Sequence, residues 1–541
     1  MPHMRKYMTG ALLFLIALNV YSQQLQRPKL VVGVVVDQMR WDFLYRFNNR
    51  YSDKGGFKRL MNKGFNCNNT LINYTPTYTA CGHASIYTGS VPSIHGITGN
   101  NWYDSEKQQF VYCTDDASVT TVGSATAAGK MSPANMFTTT IGDELKLATN
   151  LKSKVIGIAL KDRGGILPAG HSANAAYWYD SKTGDWITSS HYMKELPGWV
   201  NDFNKQKWVD KYYMQGWNTL YPINTYTQST PDENNYEVNT LGKGFPYALS
   251  SLAGKNYNLI MATPFGNTLT TQFSKAVIEQ EQMGADSITD FLAISYSSTD
   301  YIGHSFGPNS IETEDTYLRL DMELAELLDY LDTKVGKDQY VLFLSADHGA
   351  SHNPRFLKDN KIPSGSIDIE KWVTEMNTAL NKKYKKPDLV IGIINFQVVL
   401  NLPVIEASSK LNMEDIKAWV VQYLSKQEAV ANVFAIDQLQ TVVLDSTIKK
   451  MITNGYYKKR CGQVQLVYKP QWMEGFETGT THGLWNPYDA HIPLIWYGWN
   501  IKPGAADRQM YITDIAATLA ALLKIQVPSG SIGKVITEIA R

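Results

Sequence analysis

The chain has 541 residues, of which 44% are hydrophobic and 19% charged, a composition that is ordinary for a globular protein with a large core. Lys and Arg number 51 against 50 Asp and Glu, and the formal net charge of +1 lacks the basic excess that nucleic-acid binding usually requires. This balance argues against nucleic acid as a specific partner, so any function that depends on charge must be local.

The first predicted element is a signal peptide over residues 1–22. Arg5 and Lys6 precede an apolar stretch, and small residues flank a cleavage point after Ser22. An apolar run of about ten residues is too short to span a bilayer, and no later stretch approaches that length. We therefore predict an exported protein, periplasmic or secreted, that does not contact the membrane after the signal peptide is removed. We also predict that the protein is a monomer.

Five near-continuous apolar runs follow. The first four lead into polar clusters, and the fifth has the same apolar character. The runs cover residues 30–36, 155–160, 291–296, 341–344 and 492–497. Runs that are apolar on both faces are typical of parallel strands covered by helices. Amphipathic helices alternate with them, with Leu residues at helical spacing over 324–331 and apolar residues over 515–522. The pattern predicts a doubly wound, mostly parallel α/β sheet flanked by helices.

Two stretches interrupt this alternation. Residues 165–265, approximately, are rich in Tyr, Trp, Asn and Thr and have weak periodicity, whereas the stretch from about 355 to 475 carries strand and helix signals of its own. We interpret both as insertions that cap the active edge of one catalytic domain over residues 23–541. In such sheets ligands bind at the carboxyl ends of the strands, where the polar clusters lie.

A candidate metal site consists of three Asp and three His residues at predicted strand ends or in loops: Asp37, Asp300, His304, Asp347, His348 and His482. Each pair alone is weak evidence, but carboxylate and imidazole suit zinc, and a catalytic zinc keeps three protein ligands. Six ligands make two sites, and two metals about 3.5–4 Å apart can clamp the oxygens of a phosphoryl displacement. The other histidines are interpreted as packing, outer or surface residues: His83, His95, His171, His191, His352 and His491.

Thr79 is the candidate nucleophile. Pro76 and the threonines around it predict a loop, and a helix is predicted from Ala80 to about Gly89, which puts Thr79 at a helix N-terminus. The backbone N–H groups and the dipole there favour an oxyanion or a phosphate, although an isolated Thr at this place is more often only a cap. Coordination to zinc would supply the activation that a hydroxyl nucleophile needs, so Thr79 is also a candidate metal ligand.

Three further residues are candidate binding groups for a phosphoryl group. Lys161 and Arg163 are two apart at the end of a strand, so their side chains point to one side if the extended geometry continues. Arg can bind phosphoryl oxygens with two hydrogen bonds and Lys as a point charge. Asn100 offers an amide donor. Taken alone, the two cations would be read as a solvated strand end and Asn100 as a turn residue.

In this order the motifs resemble the alkaline phosphatase superfamily, and most closely the PafA-type, phosphate-irrepressible alkaline phosphatases. The resemblance rests on Val-Val-Asp37-Gln-Met-Arg, Thr-Pro-Thr-Tyr-Thr79-Ala, Gly-Asn100, Lys161-Asp-Arg163, Ser-Thr-Asp300-Tyr, Ala-Asp347-His348-Gly and Thr-Thr-His482. It covers essentially the whole chain after the signal peptide. It implies an alkaline-phosphatase-like fold and hydrolysis of small-molecule phosphate monoesters with two Zn²⁺ ions.

The resemblance also implies roles for the site residues. Thr79 would form a covalent phosphothreonine, while Asn100, Lys161 and Arg163 would bind the phosphoryl oxygens. One zinc, which activates Thr79, would be held by Asp37, Asp347 and His348. The other, which stabilises the leaving oxygen, would be held by Asp300, His304 and His482.

Alternatives from the same and other classes stay open. A phosphodiesterase or nucleotide pyrophosphatase shares the Thr, the Asn and the six ligands, but Lys161 and Arg163 suit the dianionic group of a monoester better. A sulfatase lacks support because its Cys/Ser-x-Pro-x-Arg motif is absent around position 79, and a phosphoglycerate mutase relative would not need export. A non-catalytic metal-binding or glycan-binding protein on the same fold is the remote alternative.

Overall fold

The computed structural model describes residues 26–540 and contains one large sheet of ten strands. The predicted signal peptide lies outside the described residues. In chain order the strands are β1 (Leu30–Val36), β2 (Phe65–Cys67), β3 (Thr121–Val122), β4 (Val155–Ala159), β5 (Ala175–Asp180), β6 (Asp185–Ser189), β7 (Asp290–Tyr296), β8 (Tyr340–Ser345), β9 (Leu494–Gly498) and β10 (Gly504–Ala506). Their order across the sheet is β10-β2-β9-β8-β1-β7-β4-β5-β6-β3.

The centre of the sheet is parallel. Strand β1 pairs with β7 on one side and β8 on the other, β7 pairs with β4, and β4 pairs with β5. Every residue of β1, β4, β7 and β8 is buried, as expected of strands covered by helices on both faces. The predicted doubly wound, mostly parallel α/β sheet is therefore confirmed.

The last predicted strand runs in the opposite direction. Strand β9 is antiparallel to both β8 and β2, and Ile492 belongs to a separate short strand, His491–Ile492, which pairs with Thr70–Leu71. The prediction of a parallel strand over 492–497 was wrong in this respect. An apolar run reports burial on both faces, but it carries no information about strand direction.

Helices connect and cover the strands. The predicted apolar faces over 324–331 and 515–522 are buried in the helices Ile311–Leu331 and Asp514–Leu523. The other α-helices are Phe43–Arg46, Gly56–Lys63, Thr79–Thr88, Pro92–His95, Ile141–Ala148, Asp162–Ala169, Gly198–Lys205, Trp208–Gln215, Phe265–Gln280, Ser298–Phe306, Pro354–Asp359, Ile369–Tyr384, Leu402–Glu406, Met413–Leu424, Ser446–Gly455 and Pro487–Ala490.

The stretch predicted as the first insertion is partly built into the sheet. Residues 175–189 form β5 and β6, and β5 is parallel to β4. The aromatic side chains that obscured their periodicity, Tyr177, Trp178 and Trp186, are all buried. The prediction of an insertion was therefore wrong for this part. Helices Gly198–Lys205 and Trp208–Gln215 follow it.

The second stretch, 355–475, has a sheet and a core of its own. Its antiparallel sheet has the order Val390–Ile394, Gln397–Leu400, Val464–Tyr468 and Val430–Ala435. Leu484 belongs to its hydrophobic core and Tyr78 packs against it, so the stretch lies against the chain beside Thr79. Its role as a cap of the active edge stays a prediction.

Two further features of the described residues concern membrane-spanning helices and disulfide bonds. Within residues 26–540, no helix combines the length and the apolar character that crossing a membrane requires. Cys67, Cys81, Cys113 and Cys461 are all free thiols.

Candidate active site

The predicted site residues meet at one edge of the sheet. Asp37 directly follows β1, while Lys161 and Asp347 each come two residues after β4 and β8. Asp300 lies in the first turn of the helix Ser298–Phe306, which follows β7. Because β8, β1, β7 and β4 are parallel neighbours, their carboxyl ends lie side by side.

Asp37, Asp347 and His348 form the first ligand group. One ligand atom from each lies within 4.8 Å of the others. His348 Nε2 is 3.5 Å from Asp37 Oδ1 and 3.4 Å from Asp347 Oδ2, and all three side chains are fully buried. The structure thus brings Asp37 together with the adjacent residues Asp347 and His348, which lie more than 300 positions later in the chain.

Asp300, His304 and His482 form the second group, with the same limit of 4.8 Å. His304 Nε2 lies 3.2 Å and His482 Nε2 lies 3.7 Å from Asp300 Oδ1. Asp300 and His304 share one face of a helix, because residues four apart are neighbours there. The His304 side chain is 36% exposed, so this group is open to solvent on the side of His304. The rings of His348 and His482 stack at 3.4 Å between centroids and join the two groups.

Backbone carbonyls fix the orientation of the three imidazoles. Nδ1 lies 2.7 Å from Thr480 O in His304, 2.7 Å from Thr77 O in His482 and 3.0 Å from Gly349 O in His348. Since a carbonyl can only accept, each Nδ1 carries the proton and each Nε2 lone pair faces its ligand group. Histidine ligands of metals are commonly held in this way.

The carboxylates also leave oxygens for a cation. Asp37 Oδ1 and Asp347 Oδ2 are buried, and neither has a hydrogen-bond partner within the described chain. Both oxygens lie beside His348 Nε2. A buried carboxylate oxygen without a partner is unfavourable, so these residues fit a metal ion. The donor set of carboxylate and imidazole suits zinc.

Burial and neighbouring charges shift the pKa values of four candidate ligands. Burial, together with the neighbouring imidazoles of His348 and His304, holds the pKa of His482 well below its usual value, and burial also lowers the pKa of His348. Although burial alone would raise it, the His348 and His83 side chains hold the pKa of Asp347 below its usual range. Burial and the nearby Asp347 raise the pKa of Asp37.

Thr79 is the first residue of the helix Thr79–Thr88, as predicted, and the helix ends at Gly89, which has a φ of 62°. Its Oγ1 lies 3.3 Å from His348 Nε2, so the hydroxyl is next to the first group. The side chain of Tyr78, at the N-cap, makes no capping hydrogen bond. Instead Asn100 Oδ1 accepts a hydrogen bond from Ala80 N at 3.0 Å, which leaves the amide nitrogen of Asn100 to donate to a ligand.

Lys161 lies at the centre of the site. Its ammonium donates to Asp37 Oδ2 at 2.7 Å and to Asp300 Oδ2, and it is 3.5 Å from Thr79 Oγ1. Burial alone would lower the pKa of this ammonium, but the Asp300 and Asp37 carboxylates raise it overall. Lys161 is therefore a protonated group in contact with both ligand groups and with the candidate nucleophile.

Arg163 reaches the site from a helix rather than from a strand. The helix Asp162–Ala169 begins directly after Lys161, so the extended geometry predicted to align the two cations does not continue, and that part of the prediction was wrong. Arg163 Nη1 donates to Tyr112 Oη at 2.9 Å. Its Nε is buried and has no partner among residues 26–540, so Arg163 retains a donor for an anionic ligand.

Gln38 was not among the predicted site residues, and His83 was predicted to be a packing, outer or surface residue. Gln38 N donates to Asp347 Oδ1 at 3.1 Å, and Gln38 Nε2 donates to Asp300 Oδ1 at 2.8 Å, so one residue contacts both groups. His83 Nδ1 lies 3.3 Å from Asp347 Oδ2. The available signal for Gln38 was its place directly after Asp37, but nothing in the residue type distinguishes it from a surface Gln.

Comparisons with known proteins identify the family of the chain. The family model of type I phosphodiesterase / nucleotide pyrophosphatase matches residues 31–489. The chain is 54% identical to a Myroides odoratus protein named calcium-transporting ATPase, over 96% of this chain and 95% of that protein. It is 52% identical to alkaline phosphatase PhoV of Synechococcus elongatus, over 97% and 95%, and 49% identical to alkaline phosphatase PafA of Elizabethkingia meningoseptica, over 95% and 94%.

Solved structures of PafA resemble the chain throughout. The wild-type structure has a TM-score of 0.94 at 48% identity and covers 96% of this chain and 100% of that one. A PafA variant with one Thr, one Asn, one Lys and one Arg substituted has a TM-score of 0.93 at the same identity and coverage. The chain belongs to the type I phosphodiesterase / nucleotide pyrophosphatase family of the alkaline phosphatase superfamily, in the group of the PafA and PhoV alkaline phosphatases.

Proposed function

We propose that the chain is an exported, monomeric alkaline phosphatase that hydrolyses small-molecule phosphate monoesters through a covalent phosphothreonine at Thr79. One observation carries the proposal. The Thr79 hydroxyl lies at a helix N-terminus, 3.3 Å from His348 of the first candidate ligand group and 3.5 Å from Lys161, which contacts both groups. A hydroxyl in this setting can attack phosphorus, and a helix N-terminus with a cation beside it can bind the phosphoryl group.

Two zinc ions are the proposed cofactors. Asp37, Asp347 and His348 would hold one next to Thr79, and the second group, Asp300, His304 and His482, would hold the other. When bound, the metals would lower the pKa of the Thr79 hydroxyl and stabilise negative charge on the leaving oxygen. The unpartnered oxygens of Asp37 and Asp347 support the first site, and the carbonyl-held Nδ1 of His304 and His482 supports the second.

The chain's own residues perform the rest. The Thr79 hydroxyl gives up its proton to solvent, and its Oγ attacks phosphorus in line with the leaving oxygen. The bond between phosphorus and that oxygen breaks, and the departing alkoxide takes a proton from solvent. Lys161 and Asn100, both in contact with the start of the Thr79 helix, bind non-bridging phosphoryl oxygens, and Arg163 supplies further donors. Water then attacks the phosphothreonine and releases inorganic phosphate and the Thr79 hydroxyl. Positioning and fixed charge supply most of the acceleration.

A second candidate is a phosphodiesterase, which the description of the matching family model favours. A monoester carries two negative charges on its phosphoryl group, whereas a diester carries one charge and a second bulky substituent. Two cations, Lys161 and Arg163, therefore favour the monoester. Since preference is a difference of affinities, a weak diesterase activity is compatible with the proposal. A purely metal-binding or glycan-binding role has no supporting feature beyond the ligand groups themselves.

The proposal is tested by kcat/KM for 4-nitrophenyl phosphate and for its methyl diester, with zinc present. We expect a large preference for the monoester in the wild type. The double variant Lys161→Ala/Arg163→Ala should lose most of this preference, because removing one donor that stabilises the transition-state charge lowers the rate by about 100-fold. Lys205→Ala serves as a control, because Lys205 is exposed and its one ion pair within residues 26–540 is with Asp202. A wild type that prefers the diester would assign the chain to the phosphodiesterases.

A further inference from the structure

A β-hairpin of the 355–475 stretch reaches the Thr79 helix. Strands Val390–Ile394 and Gln397–Leu400 are joined through Asn395 and Phe396, which have φ values of 54° and 64°. Two consecutive residues with positive φ make the tight turn that suits a hairpin. Asn tolerates this conformation, whereas Phe rarely adopts it. Residues in such conformations often lie at functional sites, held there by their surroundings.

The turn residue Asn395 contacts the chain on both sides of Asn100. Asn395 Nδ2 donates to Asn101 O at 2.9 Å. On the other side, a Cβ added at Gly99 would lie 2.4 Å from Asn395 Nδ2, so a larger residue there would displace this side chain. The second turn residue, Phe396, packs against Tyr78 with 5.9 Å between ring centroids. The hairpin turn thus lies between the residue before Thr79 and the segment that carries Asn100.

Arg460, from the same stretch, holds this segment from another side. Its Nη1 donates to Gly96 O at 2.6 Å and to Asn135 O at 2.8 Å. Its guanidinium carbon lies 4.5 Å from the centroid of the Trp102 ring, a distance at which cation and ring attract each other. Trp102 is buried and packs with Ala80 and Ala84 of the Thr79 helix.

The position of this segment decides where the Asn100 amide points. Asn100 O accepts a hydrogen bond from Cys113 N at 3.0 Å, and Asn100 Oδ1 accepts from Ala80 N at 3.0 Å. Both contacts depend on where the backbone of residues 96–102 lies relative to the helix. Asn395 and Arg460 each donate a hydrogen bond to a carbonyl of that backbone.

We propose that Asn395 and Arg460 are positioning residues, which hold segment 96–102 so that the Asn100 amide nitrogen faces a phosphoryl group at Thr79. This inference rests on the proposed function, because it takes Asn100 as a phosphoryl-binding group. It gives the 355–475 stretch a part in catalysis, because the stretch orients Asn100 through contacts with the residues around it.

The test substitutes Asn395→Gly. Gly adopts positive φ readily, so the turn persists while the hydrogen bond to Asn101 is lost. We expect kcat/KM for 4-nitrophenyl phosphate to fall about tenfold, since small displacements of a binding group reduce rate strongly. The inhibition constant of inorganic phosphate should rise by a similar factor. In an Asn100→Ala background, Asn395→Gly should cause no further loss.

The matched control is Asn150→Gly, because Asn150 is exposed and has a φ of 53°. It should change neither kinetic value. Arg460→Lys, which keeps the charge but not the planar stack on Trp102, should reproduce the loss and its dependence on Asn100. Unchanged kinetics in Asn395→Gly, or an equal loss with and without Asn100, would overturn the inference. A wild type that binds phosphate but turns over no monoester would refute only the proposed function. The positioning role of Asn395 and Arg460 could still be tested in that case, by comparing the phosphate affinities of the variants by calorimetry.

Discussion

Gln38 is predicted to tune the second ligand group without affecting the first. Its side-chain amide donates to Asp300 Oδ1 at 2.8 Å, the same oxygen that faces His304 and His482. Its contact with Asp347 instead uses the backbone N–H, which every residue except Pro retains. Substituting Gln38→Ala therefore removes the hydrogen bond to the second group and leaves the one to the first.

The magnitude follows from the type of bond. A buried hydrogen bond to a charged group contributes about 1.5–3 kcal/mol, which corresponds to roughly 10-fold to 150-fold in an equilibrium constant. We expect one of two zinc-binding steps to weaken within this range, measured by competition with a chromogenic chelator. At zinc concentrations that saturate the weaker step, kcat/KM should recover to near the wild-type value.

A matched control separates this effect from backbone strain. Gln38 has a φ of 65°, a conformation that Ala adopts only with strain. Gln108 has a φ of 53° and is exposed, so Gln108→Ala reports the strain alone and should leave both binding steps unchanged. Equal weakening of both steps in Gln38→Ala, or no weakening of either, would refute this reasoning.

Three more results are expected. A Cβ at Gly303 would lie 1.9 Å from Gln38 Oε1, so Gly303→Ala should displace that side chain and weaken the same zinc-binding step as Gln38→Ala. Chelation should lower Tm and added zinc should restore it, because a ligand at about 1,000 times its Kd stabilises the folded state by about 4 kcal/mol, and Asp347→Asn should respond less to zinc in differential scanning fluorimetry. Burial and the neighbouring Glu312 raise the pKa of Glu237 from 4.5 to about 8. The folded state therefore favours the protonated form of Glu237. The contribution of this group to the free energy of unfolding is fully present below pH 4.5 and is lost as pH rises through 8, at about 1.4 kcal/mol per unit of pKa shift. Urea unfolding at pH 5 and pH 9 should therefore show Glu237→Gln gaining stability relative to wild type at the higher pH, and an unchanged difference would contradict this.

The sequence indicated which Asp and His side chains lie together in the structure, because their types stand out at the ends of apolar runs. Asp and His at the ends of apolar runs are an uncommon combination, and the parallel sheet brings those ends together. Thr79 was placed correctly because Pro76 and the threonines before it mark a loop, and the helix after it ends at Gly89.

Other features could not be read from one chain. The direction of β9 depends on pairing partners, which an apolar run does not encode. The aromatic residues of β5 and β6 hid two strands of the sheet. Gln38, Asn395 and Arg460 act through hydrogen bonds to residues far away in the chain, and their types are common on protein surfaces. Their roles became visible only through distances.

The most direct test of the central claim is identification of the phosphorylated residue. The enzyme is mixed with a phosphate monoester, quenched in acid within the first turnover, digested and examined by mass spectrometry, with Thr79→Val as the control. We expect one phosphoryl group on Thr79 in the wild type and none in the control. Phosphate on another residue, or full turnover by Thr79→Val, would contradict it.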